Sequence, residues 1–252
     1  MFKYIRIIIN FLPTLIWQYF TWMLPYSRHP EKVPFEKRYN KCKKISLRLL
    51  KALKVQVHVY GIENFNNDSI KMITPNHQSL LDPVVLIAIS SSPLSFVGKK
   101  EIKTQPFVGR IMKILDCEYI NREDLRSQLD VLKKVKSSLV NKEKTWGIFP
   151  EGTRNKDIEH VYLQDFHPGT FKIVTQNDID LVPTIIEGTY RPLSTKQHLK
   201  KYHVSVRFCS KINKENKSSI ELCEETFNVS KQRMIELKET NNYFISKTNK
   251  RR

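Results

Sequence analysis

A histidine and an aspartate stand five residues apart in Asn76-His77-Gln78-Ser79-Leu80-Leu81-Asp82. Such a pair can close a short loop in which the carboxylate accepts from imidazole Nδ1–H and leaves Nε2 as an acceptor aimed outward. That is the arrangement of a general base whose nucleophile is a hydroxyl supplied by a substrate. Imidazole suits the role because its ordinary titration range brackets neutral pH. Three fixed positions make a weak pattern, which chance produces in roughly a few per cent of chains of this length, so a lone example is more often structural.

A second stretch, Phe149-Pro150-Glu151-Gly152-Thr153-Arg154, is six consecutive residues and harder to obtain by accident. Gly152 lets backbone approach an anion closely, Arg154 can grip a phosphate through two parallel N–H bonds, and Thr153 adds a hydroxyl. Glu151 can hold an acceptor hydroxyl or a neighbouring arginine. The bland alternative is a turn with a surface ion pair worth about 0–1 kcal/mol. Beside a base, the same residues could seat a phosphate next to a hydroxyl that must lose its proton. The bland reading of Arg122 is a partner to Glu123 or Asp124, and that of Lys99 a solvated lysine.

Ser79 sits two residues past the base with nothing to activate it, and its bland role is a helix N-terminal cap. Cys42, Cys117, Cys209 and Cys223 show no Cys-x-x-Cys spacing, which argues against a zinc site or a disulfide framework and for ordinary thiols in a reducing compartment. His160 and His167 are seven apart with only Asp165 nearby, and read as surface histidines. No metal is expected.

The elements that must carry these residues alternate. Val55, Val57 and Val59 form a half-buried strand that stops at Gly61. Strands are also expected at Ile70–Thr74, Leu94–Val97, Glu118–Ile120, Thr145–Phe149, Leu181–Ile186 and His203–Phe208. Helices are expected at Leu80–Ser90, near Phe107–Leu115, over Glu123–Asn141 with Leu125, Leu129, Leu132, Val135 and Leu139 on one face, and at Gly169–Gln176. The fold class is α/β, a mostly parallel central sheet flanked by helices, whose strand-end loops collect function. His77, Arg122 and Glu151 all follow expected strands. The segment from Asn213 is polar and helix-prone, carries no assigned chemistry, and ends in a basic tail, Lys247 to Arg252, expected to fray.

Ahead of this body, Ile7 to Tyr26 is long enough as a helix to cross a bilayer core of about 30 Å. Its Asn10, Thr14, Gln18 and Thr21, a kinking Pro13, and the rings of Trp17, Tyr19, Trp22 and Tyr26 favour lying in the interface. No small-x-small cleavage site follows, which disfavours a signal peptide. Arg28 to Lys54 then carries ten basic residues against Glu31 and Glu36, with Phe35, Tyr39, Cys42, Ile45, Leu49, Leu50 and Leu53 at helical spacing. Together the two helices make an N-terminal membrane-anchoring motif, with the body on the cytoplasmic face if the first helix spans. The expected organisation is 1–54 membrane-associating motif, 55–212 α/β domain, 213–252 polar helical extension.

The formal net charge of +18 draws the chain to polyanions, whether nucleic acid, anionic lipid or an acidic carrier protein. Length allows one large domain with a real core.

Asn-His-x-Ser-x-x-Asp followed by Phe-Pro-Glu-Gly-Thr-Arg resembles the glycerolipid acyltransferases, most closely the bacterial 1-acyl-sn-glycerol-3-phosphate acyltransferases. Two more blocks match in order: Val97-Gly98-Lys99-Lys100-Glu101 leading to Tyr119-Ile120-Asn121-Arg122, and Leu181-Val182-Pro183-Thr184 after Gly169. The resemblance covers about Lys54 to Gly188. It implies His77 as general base for the sn-2 hydroxyl of lysophosphatidic acid, with Asp82 orienting it. It places Arg122 and Arg154, with Lys99, on the acceptor phosphate, and has Glu151, Gly152 and Thr153 shape that pocket. It gives Pro183 a share in the acyl-donor side, and Thr184 stands where an apolar residue is more usual. The donor would be a thioester of acyl carrier protein or coenzyme A as co-substrate, with no cofactor, no acyl-enzyme and no nucleic acid. Glycerol 3-phosphate or another lysophospholipid remains an alternative acceptor. From another class, a noncatalytic basic membrane- or nucleic-acid-binding protein would use the same charge, but no nucleic-acid-binding signature appears and the charge gathers beside an apolar anchor.

Overall fold

The computed structural model describes residues 12–66, 69–175, 177–195 and 197–250. Positions 7–11 of the aromatic-rich stretch therefore lie outside the described residues. Seven strands, β1 (Val55–Tyr60), β2 (Lys71–Pro75), β3 (Leu94–Lys99), β4 (Glu118–Ile120), β5 (Thr145–Gly147), β6 (Asp180–Glu187) and β7 (Tyr202–Phe208), form one sheet in the order β1-β7-β6-β2-β5-β3-β4. The β2, β3, β4, β5 and β6 strands run parallel, while β7 is antiparallel to β6 and takes β1 with it. The sheet is thus mostly parallel.

Successive residues of a strand point to opposite faces, and in this sheet both faces are apolar and covered. Ile73, Val182, Val204 and Val206 pack on one side with α2 (Phe35–Ala52), α3 (Leu81–Ile89) and α4 (Val108–Ile114). Met72, Trp146 and Leu181 pack on the other with α5 (Leu125–Val140), the short α6 (Lys172–Thr175) and α7 (Ser219–Lys250). The helix expected at Gly169–Gln176 is shorter than the spacing predicts: a 3-10 turn over Pro168–Phe171 precedes α6, and residue 176 lies outside the described residues. The expected extension from Asn213 becomes a 32-residue helix that is part of the body, with Leu222, Cys223, Met234 and Leu237 buried. Lys247–Lys250 continue it rather than fray, and residues 251–252 lie outside the described residues.

At the N-terminal side, residues 12–18 are helical, Tyr19–Met23 form a π-turn and α1 (Leu24–Arg28) follows. The distortion falls just before Pro25, which has no N–H to return to Thr21, whereas Pro13 sits within the helical stretch. Arg110 of α4 donates from Nε to Tyr19 Oη and from Nη1 to Ser27 Oγ, both at 2.9 Å. Trp22 and Met23 are buried in the core, while Ile16, Trp17 and Phe20 are exposed. Among the described residues no helix is long and apolar enough to cross a membrane.

The α2 helix is amphipathic as its spacing predicts, with Tyr39, Cys42, Ile45 and Leu50 in the core. Its basic residues divide, however. Arg38 is buried, forks onto both carboxylate oxygens of Asp116 at 2.7 and 2.8 Å and also donates to the carbonyls of Val33 and Ile114. Lys43 donates to the Ser90 carbonyl at 2.6 Å. Lys37, Lys41, Lys44, Arg48 and Lys51 remain exposed. Because α2 forms part of the core, removal of residues 1 to 54 would open it.

Candidate active site

The β2, β3, β4 and β5 strands all deliver chain to the same edge of the sheet, since they run parallel. His77 lies two residues beyond β2, Arg122 two beyond β4, and the Phe149–Arg154 turn just beyond β5, with Lys99 closing β3. The edge at the carboxyl ends of parallel strands is where α/β folds place their ligands.

The loop after β2 turns into α3, and Asp82 lies in the first turn of that helix, fully buried. Its Oδ2 accepts from the backbone N–H of Gln78 at 2.7 Å and of Ser79 at 2.8 Å, and lies 2.7 Å from His77 Nδ1. Its Oδ1 accepts from the Thr189 hydroxyl. A carboxyl group surrounded by donors has only acceptor sites to offer, so Nδ1 carries the hydrogen and the Nε2 lone pair is left over. Nε2 makes no hydrogen bond among the described residues, and the His77 side chain keeps 19% of its surface accessible. The ring stacks on Phe149 with centroids 4.2 Å apart, which limits its rotation. Ser79, expected as a cap, stands one residue ahead of the N-cap position Leu80, and its Oγ accepts from Leu81 N–H at 3.2 Å.

The Phe149–Arg154 turn fixes the His77 backbone from the other side. Glu151 is buried; Oε1 accepts from His77 N–H at 2.8 Å and Oε2 from Gln164 N–H at 3.1 Å, and Asn155 N–H donates to the His77 carbonyl at 2.8 Å. Both Glu151 oxygens accept from backbone, so this buried carboxylate braces the base, a role the sequence reading did not give it. Burial pushes its pKa up to about 7, against the lowering effect of those two N–H bonds, with a small further rise from Asp82.

Gly152 has φ +66°, a left-handed conformation that favours glycine, and the space a side chain would fill is already bordered. A Cβ there would sit 3.0 Å from Cδ2 and 3.1 Å from Nε2 of His167, and 3.9 Å from the Arg122 guanidinium carbon. Arg122 and Gly152, distant in sequence, therefore meet. Arg122 does not pair with Asp124, whose carboxylate caps α5 through the N–H groups of Arg126 and Ser127. Partial burial lowers the Arg122 pKa and Glu101 opposes the effect. Thr153, Arg154 and Lys99 are exposed on the same edge, and neither cation has an ion-pair partner among the described residues. Pro183 and Thr184 are buried inside β6, paired in register with Thr74 and Pro75 of β2. His160 and His167 are exposed, as expected, but His167 borders the Gly152 turn.

Sequence reasoning missed the contacts to the end of β6. Asn76 holds the Ile186 backbone through both side-chain atoms, at 3.0 and 2.7 Å, and Gln78 Oε1 accepts from Gly188 N–H at 2.9 Å. The available signal was the position of Gly188-Thr189 shortly after the fourth block; nothing local showed that β6 lies beside β2.

The sequence profile of the acyltransferase family matches residues 56–187. The chain belongs to that family. The matched segment takes in the dyad, Lys99, Arg122 and Glu151–Arg154, and ends before Thr189. Among relatives, the acyltransferase is 30% identical over 208 residues to a Mycoplasma genitalium protein named "Probable 1-acyl-sn-glycerol-3-phosphate acyltransferase", covering 78% of this chain and 71% of that one. It is 30% identical to the Saccharomyces cerevisiae 1-acyl-sn-glycerol-3-phosphate acyltransferase over 74% of this chain and 61% of the yeast protein. Its fold resembles the crystal structure of the 1-acyl-sn-glycerophosphate (LPA) acyltransferase PlsC from Thermotoga maritima, with a TM-score of 0.73 and 22% identity over 94% of this chain and 98% of that one.

Proposed function

We propose that this acyltransferase transfers a fatty acyl chain from a thioester to the sn-2 hydroxyl of 1-acyl-sn-glycerol 3-phosphate, forming phosphatidic acid in phospholipid synthesis. The reading is carried by the 2.7 Å contact between His77 Nδ1 and the buried Asp82 carboxylate, which leaves Nε2 to take the hydroxyl proton. As the proton moves to Nε2, the oxygen attacks the thioester carbonyl, the C–S bond breaks, and the imidazolium returns the proton to the departing thiolate. Imidazolium formed in that step lies against the Asp82 charge. The acyl chain passes directly between substrates: all four cysteines are buried, and burial raises each thiol above its ordinary range.

In this reading Arg122, with Gly152 beside it, and Arg154 and Lys99 on the same edge hold the acceptor phosphate, and Thr153 borders it. The donor is an acyl carrier protein or coenzyme A thioester, each an anion suited to the basic surface. Residues 1–54 face an anionic membrane on the cytoplasmic side: Ile16, Trp17 and Phe20 present exposed apolar area, and α2 presents a row of lysines. Residues 55–212 carry the catalytic groups, and the Ser219–Lys250 helix backs the sheet.

The test is product identification by mass after incubation with lysophosphatidic acid and each thioester, for the native protein and His77→Ala. Loss of phosphatidic acid in a folded His77→Ala protein is expected; undiminished product would remove His77 from the mechanism.

A further inference from the structure

The dyad loop is joined to one neighbouring segment at three positions. Asn76 grips Ile186, Gln78 grips Gly188, and Asp82 takes the hydroxyl of Thr189, so the loop after β2 and the turn after β6 form one hydrogen-bonded unit. Thr189 has no accessible surface, so bulk water does not reach its hydroxyl at Asp82 Oδ1. The turn that presents it is itself held. Glu187 and Arg191, both buried, pair at 2.7 and 2.9 Å across the turn, and Asn241 of α7 donates to the Glu187 carbonyl at 3.0 Å and to its carboxylate. Gly188, at φ +97°, has Arg191, His203 and Asn241 where a side chain would stand.

We infer that Thr189 is a positioning residue for the reaction: its hydroxyl fixes the Asp82 carboxylate so that Oδ2 faces His77 Nδ1, and α7 holds Thr189 in place through Asn241. A carboxylate can turn about its Cβ–Cγ bond. Three donors on Oδ2 leave Oδ1 as the free end of that rotation, and in a dry site Thr189 is the only side chain bonded to it among the described residues. Its loss leaves Oδ1 a bare buried acceptor and removes the bond that fixes the carboxylate plane from that end, so Oδ2 is held less closely to the imidazole. Because Thr189 is fully buried and its hydroxyl bonds Asp82, its effect falls on kcat and spares the phosphate-binding contacts.

This assignment rests on His77 as the base, and both are tested together. Thr189→Val keeps the shape and removes the hydroxyl, while Thr189→Ser keeps the hydroxyl. We expect kcat for lysophosphatidic acid to fall about 10- to 100-fold in Thr189→Val with KM within about twofold, and most of the loss to be recovered in Thr189→Ser. Added to Asp82→Asn, Thr189→Val should cost little more, since both act on one contact. Native kcat in Thr189→Val, equal losses in the valine and serine variants, or additive losses with Asp82→Asn would each overturn the assignment. Thr189→Ala carries the same comparison should valine disturb the packing; if both variants fail to fold while Thr189→Ser does fold, the hydroxyl is structural and the assignment is overturned. An active His77→Ala overturns the base itself, whereas inactive His77→Ala beside fully active Thr189→Val overturns only the role of Thr189.

Discussion

Replacing Asp82 by asparagine separates the charge of the dyad from its geometry. The asparagine oxygen can take the place of Oδ2, accepting from Gln78 N–H, Ser79 N–H and His77 Nδ1–H, while its NH₂ turns to Thr189, whose hydroxyl accepts instead. Every contact survives, so stability should change by no more than about 1 kcal/mol. What disappears is the attraction between Asp82 and the imidazolium formed as the hydroxyl is deprotonated. Two unit charges at the 2.7 Å Nδ1–Oδ2 separation interact by about 6 kcal/mol at an effective dielectric of about 20. Spread of the positive charge over the ring and the retained neutral hydrogen bond reduce the catalytic share to about 3–4 kcal/mol, or a fall in kcat of about 10²- to 10³-fold. Steady-state rates of thioester consumption with lysophosphatidic acid, beside thermal melts of both proteins, measure the two quantities separately. A folded Asp82→Asn protein with kcat within about threefold of native would refute the claim that the carboxylate charge serves the reaction. A protein that simply unfolds would refute the claim that asparagine preserves the contacts.

Glu151→Gln should change the pH dependence of stability. Since burial raises the Glu151 pKa to about 7, the folded chain keeps this proton where the unfolded chain has lost it; the stabilisation is full below the unfolded pKa of about 4.5 and is lost as pH rises toward 7, at up to about 1.4 kcal/mol per pH unit. Urea unfolding at pH 5 and pH 7 should show this slope in the native protein and a flatter one in the variant; equal slopes would contradict it. Arg122→Ala is expected to raise KM for lysophosphatidic acid about 10- to 100-fold, the worth of a charge-assisted hydrogen bond, with a smaller effect on kcat. An unchanged KM would remove Arg122 from the phosphate. The triple reversal Lys37→Glu, Lys41→Glu and Lys44→Glu, all on the exposed side of α2, should weaken sedimentation with anionic vesicles at least 100-fold, at about 1 kcal/mol per charge near the surface, and more steeply at low salt. Unaltered sedimentation would transfer membrane attachment elsewhere.

Short-range features of this protein were legible in its residues. The His77–Asp82 spacing dictates a loop of one size, because a carboxylate in the first turn of a helix reaches back to the N–H groups and side chain just ahead of it. The alternation of Val55, Val57 and Val59 and the helical spacing in α2 and α5 likewise follow from periods of two and 3.6. Other features depend on which strands become neighbours, which no local pattern encodes. The basic residues of α2 look alike in sequence, yet Arg38 is buried because the first turns of α2 pack beside the turn that precedes β4, where Asp116 stands. Glu151 reads as a ligand for substrate until the β2–β5 pairing brings the His77 backbone to its carboxylate. Asn241 carries no signal at all and Thr189 only its place after the fourth block; both acquire a role because β6 lies beside β2 and α7 crosses behind it. Residue type and spacing determined the chemistry available to this chain; the strand order decided which groups are held in place to perform it, since hydrogen bonds act over about 3 Å and only the folded sheet brings such distant residues that close.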